Sequence, residues 1–261
     1  MESQMKGKDM YSLCCALRFS NQDYESFFNK NLLNTVVFSD DKQLFTENIN
    51  SRITSNTVQY LTKFLIIGDK EKAFSIPLLG AERCNKIDEA RMRLDNIVGL
   101  DDKSIKDACR LAGYELSYKI NPKYGENNYK IRPDEKTVSN IRIMVNRSLY
   151  VLRKYGPVLL DDISFNGAFT GKINSASGDY LTPEGFWNFA NTLDRADQLD
   201  ILQVLSHWIM GLHSVYKNKF KNVKYLVIFS PRLNKLHYIE IAKISQDTIS
   251  LISKNIIGYK N

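Results

Sequence analysis

The sequence predicts an α/β protein: a mostly helical N-terminal region of unknown role, residues 1–135, then a core of mixed sheet flanked by helices, residues 136–261. Three observations support this. Apolar residues recur at helical spacing from Arg52 to Ala112. Residues 121–133 (NPKYGENNYKIRP) are polar, carry a proline near either end and read as a boundary. Beyond them the segments alternate in the order α-β-β-β-α-β-β-α. A helix between the third and fourth strands is what a crossover to a parallel strand requires.

In order along the chain, the first fifty residues alternate short apolar runs with Asn, Asp and Ser, and suggest only a helix around residues 23–34. Thr54-Ser55 can cap a helix over 56–67 that places Val58, Leu61, Phe64 and Leu65 on one face. A second helix is predicted around 70–79, with Pro77 as its kink or stop. Helices over 81–97 and 102–112 follow, the latter with Gly113 at the C-cap position. After the boundary, residues 138–155 form an amphipathic helix with Ile141, Met144, Val145, Leu149 and Leu152 inward. Short strands come next at 158–165, 168–173 and 186–190, then a helix at 197–215, strands at 223–229 and 236–241, and a last helix around 246–256.

A chain of 261 residues can bury a sizeable core, and 43% hydrophobic with 25% charged content is that of a folded protein, not a disordered one. No apolar run approaches the roughly 18 residues of a membrane span and Met1–Lys8 lead into no signal-peptide core, so a cytoplasmic, non-membrane protein is expected. Cys14, Cys15, Cys84 and Cys109 form no CxxC pair and read as free, mostly buried thiols. With only His207, His213 and His237 available, a zinc centre has little to work with.

Charge is placed unevenly. From Gly211 onward nine Lys/Arg face two acids, which accounts for the whole net charge of +7. Lys217, Lys219, Lys221, Lys224, Arg232 and Lys235 are therefore candidate nucleic-acid contacts, because a basic face suits a polyanion. A lysine-rich solvated face is the competing reading. Tyr124, Tyr129, Phe165 and Phe169 sit among basic or polar neighbours and could stack on bases, although most aromatics of a folded chain are core. Residues 167–172 (GAFTGK) are one short of a phosphate-binding loop, and Ile173 stands where a hydroxyl would bind Mg²⁺; that reading is rejected. No GxSxG is present.

The segment 178–190 (GDYLTPEGFWNFA) carries the sharpest signal. An acid, Asp179, is followed nine residues later by Trp187-Asn188-Phe189-Ala190, and the next helix contains Gln203-Val204-Leu205-Ser206-His207. This order resembles the RecB-like branch of the PD-(D/E)xK nuclease superfamily, whose helix carries Gln-x-x-x-Tyr, with His207 here in place of tyrosine. The resemblance covers about half the chain and does not reach the N-terminal half. The flanking segments also resemble a group of uncharacterised bacterial proteins whose third strand reads Trp-Asp-Phe-Lys. The resemblance implies a core in which two carboxylates hold Mg²⁺, a lysine orients the attacking water, and the glutamine and its partner position the nucleic-acid backbone. Here Asn188 and Ala190 occupy the positions of the second acid and the lysine. Asparagine offers a cation a neutral oxygen but not the charge that Mg²⁺ binding depends on, and alanine offers nothing.

Three functions stay open on this sequence. The leading one is a catalytically inactive nuclease-like protein that binds nucleic acid or a nucleic-acid-processing complex, with Asp179, Asn188, Ala190, Gln203 and His207 as the remnant site and no cofactor. The resemblance implies a setting in phage or bacterial defence or counter-defence. The second is an active Mg²⁺-dependent nuclease in which Glu184 and Lys172 replace the missing acid and lysine and Asp179 remains a metal ligand. The third is a protein-interaction module without nucleic-acid contact, which predicts lysines scattered away from Gln203 and Asp179. Asp179 itself reads as a surviving ligand or as a turn residue after Gly178, and the loss of its partner favours the turn. Gln203 and His207, one helical turn apart, read as groove lining or as a polar pair at the sheet edge; Leu202, Leu205 and Ile209 supply a core-facing side, which favours the groove.

Overall fold

The structure, a computed structural model, describes residues 11–13, 17, 32–119, 128–190 and 198–260. The chain divides into two compact units, Ser39–Lys154 and the remainder, Met1–Phe38 with Tyr155–Asn261.

The first unit is helical. Helix α1 (Ser51–Ile67) begins at Asn50, whose side chain accepts from the Arg52 amide, one turn earlier than Thr54-Ser55 suggest. It ends at Gly68, which takes a left-handed conformation (φ 73) and returns its N–H to the Phe64 carbonyl. Helices α2 (Lys70–Ala73) and α3 (Ser75–Arg83) replace the predicted single helix, split at Phe74. Pro77 is the third residue of α3, in the first turn, where a missing N–H costs no intrahelical bond. The predicted helix over 81–97 is likewise broken after Arg83, because Asn85 adopts a left-handed backbone (φ 55) before α4 (Ile87–Asp95). Helix α5 (Asp102–Ala112) has the predicted bounds. Asp101 caps it by accepting from the Ser104 amide, and Gly113 is its C-cap in a right-handed conformation. Short α6 (Glu115–Lys119) and long α7 (Glu135–Tyr155) complete the unit.

Its core joins Leu61, Phe74, Leu94, Ile105, Leu111, Val138, Ile141 and Met144. Since the inward face of α7 packs in this cluster, the division between compact units falls at Lys154/Tyr155, not at residue 135. The predicted boundary segment is described only from residue 128 onward, where Tyr129 is buried and stacks on Tyr114 with ring centroids 4.6 Å apart. Charge in this unit is satisfied in pairs. The buried Asp107 carboxylate accepts from Arg93 at 3.2 Å and Arg110 at 2.9 Å. Asp40 accepts from two nitrogens of buried Arg147, at 2.6 and 2.8 Å, and that hydrogen bonding holds its carboxyl below the usual carboxylate range.

The second unit holds the strands: β1 (Tyr11–Ser12), β2 (Asn34–Val37), β3 (Leu160–Ile163), β4 (Ile173–Ser175), β5 (Gly178–Leu181), β6 (Gly185–Phe189), β7 (Tyr225–Ser230) and β8 (Lys235–Glu240). Six of them form one mixed sheet in the order β2-β8-β7-β6-β5-β3. The β6–β7 pair is parallel, bridged by helix α8 (Gln198–His213) and short α9 (Lys217–Phe220); every other pair in this sheet is antiparallel. Strand β4 lies outside the sheet and pairs with β1, so the predicted strand at 168–173 is displaced, and the strand between β3 and β6 in the sheet is β5. The predicted helix at 23–34 lies outside the described residues except at its end, where Asn34 opens β2. Helix α10 (Gln246–Leu251) runs on into a π-helical turn, Ile252–Ile257, closed by Gly258 at φ 89.

Alternation along the strands sends Leu181, Phe186, Leu226, Ile228 and Ile239 into one cluster with Leu202, Leu205 and Ile209 of α8. Tyr180, Trp187, Phe189 and Phe229 occupy the other face, linked by the Tyr180–Phe189 contact at 5.2 Å and the Phe189–Phe229 contact at 5.4 Å. Among the described residues, no helix is long and apolar enough to cross a membrane.

A close approach in the helical unit yields a stability prediction. A Cβ on Gly80 of α3 would sit 2.0 Å from the Tyr114 carbonyl oxygen, whereas one on Gly99 meets no atom within 4 Å. Gly80→Ala should therefore destabilise the protein by about 3 kcal/mol in urea unfolding, while Gly99→Ala leaves it within about 0.5 kcal/mol.

Candidate functional site

The β5–β6 hairpin positions the residues that carry the sequence signal. Its turn, residues 182–185, closes with the Thr182 amide donating to the Gly185 carbonyl at 2.8 Å. Thr182 Oγ1 also accepts from the Gly185 amide at 3.1 Å and from the Trp187 indole at 3.0 Å. Gly185 is required there, because a Cβ would lie 2.7 Å from that indole nitrogen. With the turn fixed, Tyr180 pairs with Trp187 and Leu181 with Phe186, and one step further Asp179 stands opposite Asn188.

Asp179 is a strand residue, not a turn residue. Its Oδ2 accepts from the Phe189 amide at 2.6 Å, so the carboxylate serves where the ladder would next offer a backbone carbonyl. Asn188 is half-buried, and its Oδ1 is buried with no hydrogen-bond partner among the described residues. Ala190 donates its amide to the Phe229 carbonyl at 2.9 Å, and its methyl packs on the apolar cluster under α8. Period-two alternation puts Asp179, Asn188 and Ala190 on the α8 face with Leu181 and Phe186. The structure thus brings together an acid, a neutral amide and a methyl group.

The other candidates separate. His207 lies in the core, not in a groove. Its ring stacks on Phe165 at 5.0 Å and meets Phe186 edge-on at 6.2 Å, and full burial pushes its pKa down to about 3. Gln203, one turn nearer the start of α8, is half-buried. Glu184 sits in the hairpin turn at the far end of β6 from Asn188, and its carboxylate pairs with the Lys224 ammonium at 2.5 Å. Lys172 precedes β4, outside the main sheet, and donates to the Asn255 carbonyl at 3.0 Å. Residues 167–172 run from a turn into strand β4, not into a helix, as the rejection of a phosphate loop requires.

The basic candidates divide between the two ends of the sheet. Register pairs Gly185 with Tyr225 and Phe189 with Phe229, so Lys224 lies at the end opposite Asn188. Lys217 and Lys219 lie in α9 and Lys221 follows it, all exposed, and the chain leads from there into that end. Arg232 lies in the β7–β8 turn and Lys235 opens β8 opposite Ser230, both on the Phe189 side. Tyr124 lies outside the described residues, Phe165 is core, and Phe169 is exposed.

Two acids escaped the sequence reading. Asp161 and Asp162 lie on β3, Asp161 paired with Tyr180 and Asp162 exposed with a left-handed backbone (φ 44). Burial, then the nearby Asp179, Asp162 and Asp161, pushes the Tyr180 hydroxyl well above its usual pKa. Their signal was present as a paired Asp-Asp in the first predicted core strand. Among the described residues, no three His, Cys, Asp or Glu side chains form a metal-holding group. Cys84 and Cys109 are not joined in a disulfide, and Cys14 and Cys15 lie outside the described residues.

Compared with known proteins, the chain matches no family model, no curated protein and no solved structure.

The burial of His207 has a measurable consequence. Its folded-state pKa of about 3 lies below the ordinary value of 6.5, so the unfolded chain takes up a proton first as the solution is acidified. Stability tied to this ring is complete above pH 6.5 and falls as the pH drops towards 3. Between pH 7 and pH 4 it should shrink by about 3 kcal/mol. In urea unfolding at the two pH values, His207→Phe should lack that part of the acid sensitivity.

Proposed function

We propose that this chain is a PD-(D/E)xK-type, RecB-like nuclease scaffold that no longer cleaves and that acts by binding nucleic acid. The observation that carries the reading is the local donor set. The Asp179 carboxylate accepts the Phe189 amide on Oδ2, its cross-strand neighbour Asn188 has no charge, and position 190 has no amine. Mg²⁺ held by a protein usually draws on one or two carboxylates in near-octahedral geometry, and hydrolysis needs a water made nucleophilic beside it. These residues do not fit that ion. The order of the elements supports the ancestry: antiparallel β3-β5-β6, then a helical connection to a parallel strand, with Asp179, Asn188 and Ala190 under that helix.

The relocated-residue alternative is not supported by the geometry, since Glu184 is paired with Lys224 at the opposite end of the hairpin and Lys172 is bound to Asn255. Binding of a polyanion is supported by the C-terminal excess of lysine, of which Lys217, Lys219 and Lys221 are exposed. A decoy or inhibitor in conflict between bacteria and mobile elements is the setting that the resemblance implies, with a nucleic-acid-processing complex as the protein partner.

Purified protein incubated with single- and double-stranded DNA and RNA in Mg²⁺ or Mn²⁺ should show no cleavage above background, and salt-sensitive binding on the same samples. Asp179→Ala should lower unfolding stability by about 2 kcal/mol, through loss of a charge-assisted hydrogen bond, and leave the affinity unchanged. Cleavage that stops with chelator and in Asp179→Ala would overturn the reading.

A further inference from the structure

Three segments distant in sequence converge beside the C-terminal end of α8. The loop 166–172 is tied to the turn after α8 by the Val215 amide, which donates to the Asn166 carbonyl at 2.9 Å. The same loop is tied to the C-terminal segment by three bonds. Thr170 Oγ1 donates to the Ile257 carbonyl at 2.5 Å, Lys172 Nζ to the Asn255 carbonyl at 3.0 Å, and the Tyr259 hydroxyl to the Ala168 carbonyl at 2.7 Å. His213, the last residue of α8, closes the junction by stacking on Tyr259 at 4.1 Å.

The composition of this junction is one-sided. Residues 166–172, 213–219 and 252–260 contain no Asp or Glu, yet they present five lysines, Lys172, Lys217, Lys219, Lys254 and Lys260, all exposed. On the same loop as Lys172, Phe169 is 39% exposed, an apolar ring left in solvent on a loop that is otherwise pinned. An acid-free lysine cluster attracts polyanions, and a solvent-facing ring on the same loop as one of the lysines provides a stacking surface for an unpaired base. A duplex keeps its bases stacked inside and has no use for that ring; an acidic polypeptide has no bases to place on it.

We infer that this junction is a binding surface for single-stranded nucleic acid, centred on Phe169. The inference rests on the nucleic-acid-binding reading above and specifies where and in what form the strand is held.

Fluorescence anisotropy of labelled 20-mer oligo(dT) and oligo(rU) with the full chain, across a salt series, tests it. With four of the five lysines engaged, log K against log salt should fall with a slope of about −3. The double variant Lys217→Ala/Lys254→Ala should weaken binding about tenfold at low salt and flatten the slope by about 1.4. Phe169→Ala should weaken binding about tenfold with the slope unchanged, the mark of lost stacking instead of lost charge. Lys86→Ala/Lys103→Ala, exposed lysines elsewhere, should match the wild type in both respects. Strand binding that these patch variants leave intact would overturn the inference while sparing the broader reading. A duplex bound as tightly, or polyglutamate displacing the strand at equal charge, would overturn the single-strand assignment. No binding of either oligonucleotide would overturn the inference, and no binding of a DNA or RNA duplex either would overturn both.

Discussion

The parallel pairing of Gly185–Phe189 with Tyr225–Phe229 is the constraint on which the sheet unit depends. Two parallel neighbours cannot be joined by a tight turn, so the chain must travel the length of the sheet and return, and α8 is that return. The helix in turn has to bury an apolar stripe, which Leu202, Leu205 and Ile209 do against Leu181, Phe186 and Ile228. Once that layer is set, the antiparallel additions on either side, β5 and β3 against β6, and β8 and β2 against β7, follow by hairpins and one long-range pairing. The connection's far end then leaves His213 where loop 166–172 and the C-terminal segment dock.

The same constraint explains the chemistry at positions 179, 188 and 190. In a strand buried beneath a helix, each inward position must be apolar, satisfied or functional. Ala190 takes the first course and Asp179 the second, by accepting the Phe189 amide. Asn188 keeps a polar side chain without adding charge beside Asp179, in a region where Asp161 and Asp162 already bear on Tyr180. A second carboxylate at 188 would face repulsion from Asp179 unless a cation compensated it. Neutral Asn188 avoids that repulsion, although its buried Oδ1 meets no hydrogen-bond partner among the described residues.

Much of the fold was legible in the sequence because it is locally encoded. A regular apolar stripe and Gly113 mark α5 to the residue, and the strong periodicity around Ile141 and Met144 marks α7. Strands β6, β7 and β8 show as short apolar runs. What was illegible depends on distant partners or on backbone choices that no residue type announces. Strand β2 is four residues whose partners lie some two hundred positions away, and the break after Arg83 turns on a left-handed asparagine. The candidate site divides in the same way. The nine-residue interval from Asp179 to Asn188 was visible, but the strand that carries Asp179 was not, nor was the fate of His207, because helical spacing gives a shared face without saying what covers it. Phe165 and Phe186 do so, from a loop and a strand. Glu184 looked close to Asn188 in sequence, yet a strand carries it to the other end of the hairpin.

The account turns on whether the carboxylate of Asp179 is a structural acceptor or a metal ligand. Titrating Mn²⁺ into the protein and following backbone amide signals by NMR tests this most directly, because a bound paramagnetic ion broadens the amides nearest to it. The account predicts that the Phe189 and Asn188 amides keep their intensity at millimolar Mn²⁺, apart from uniform loss across exposed acids. Saturable, local broadening of those two amides at micromolar Mn²⁺, abolished in Asp179→Ala, would contradict it.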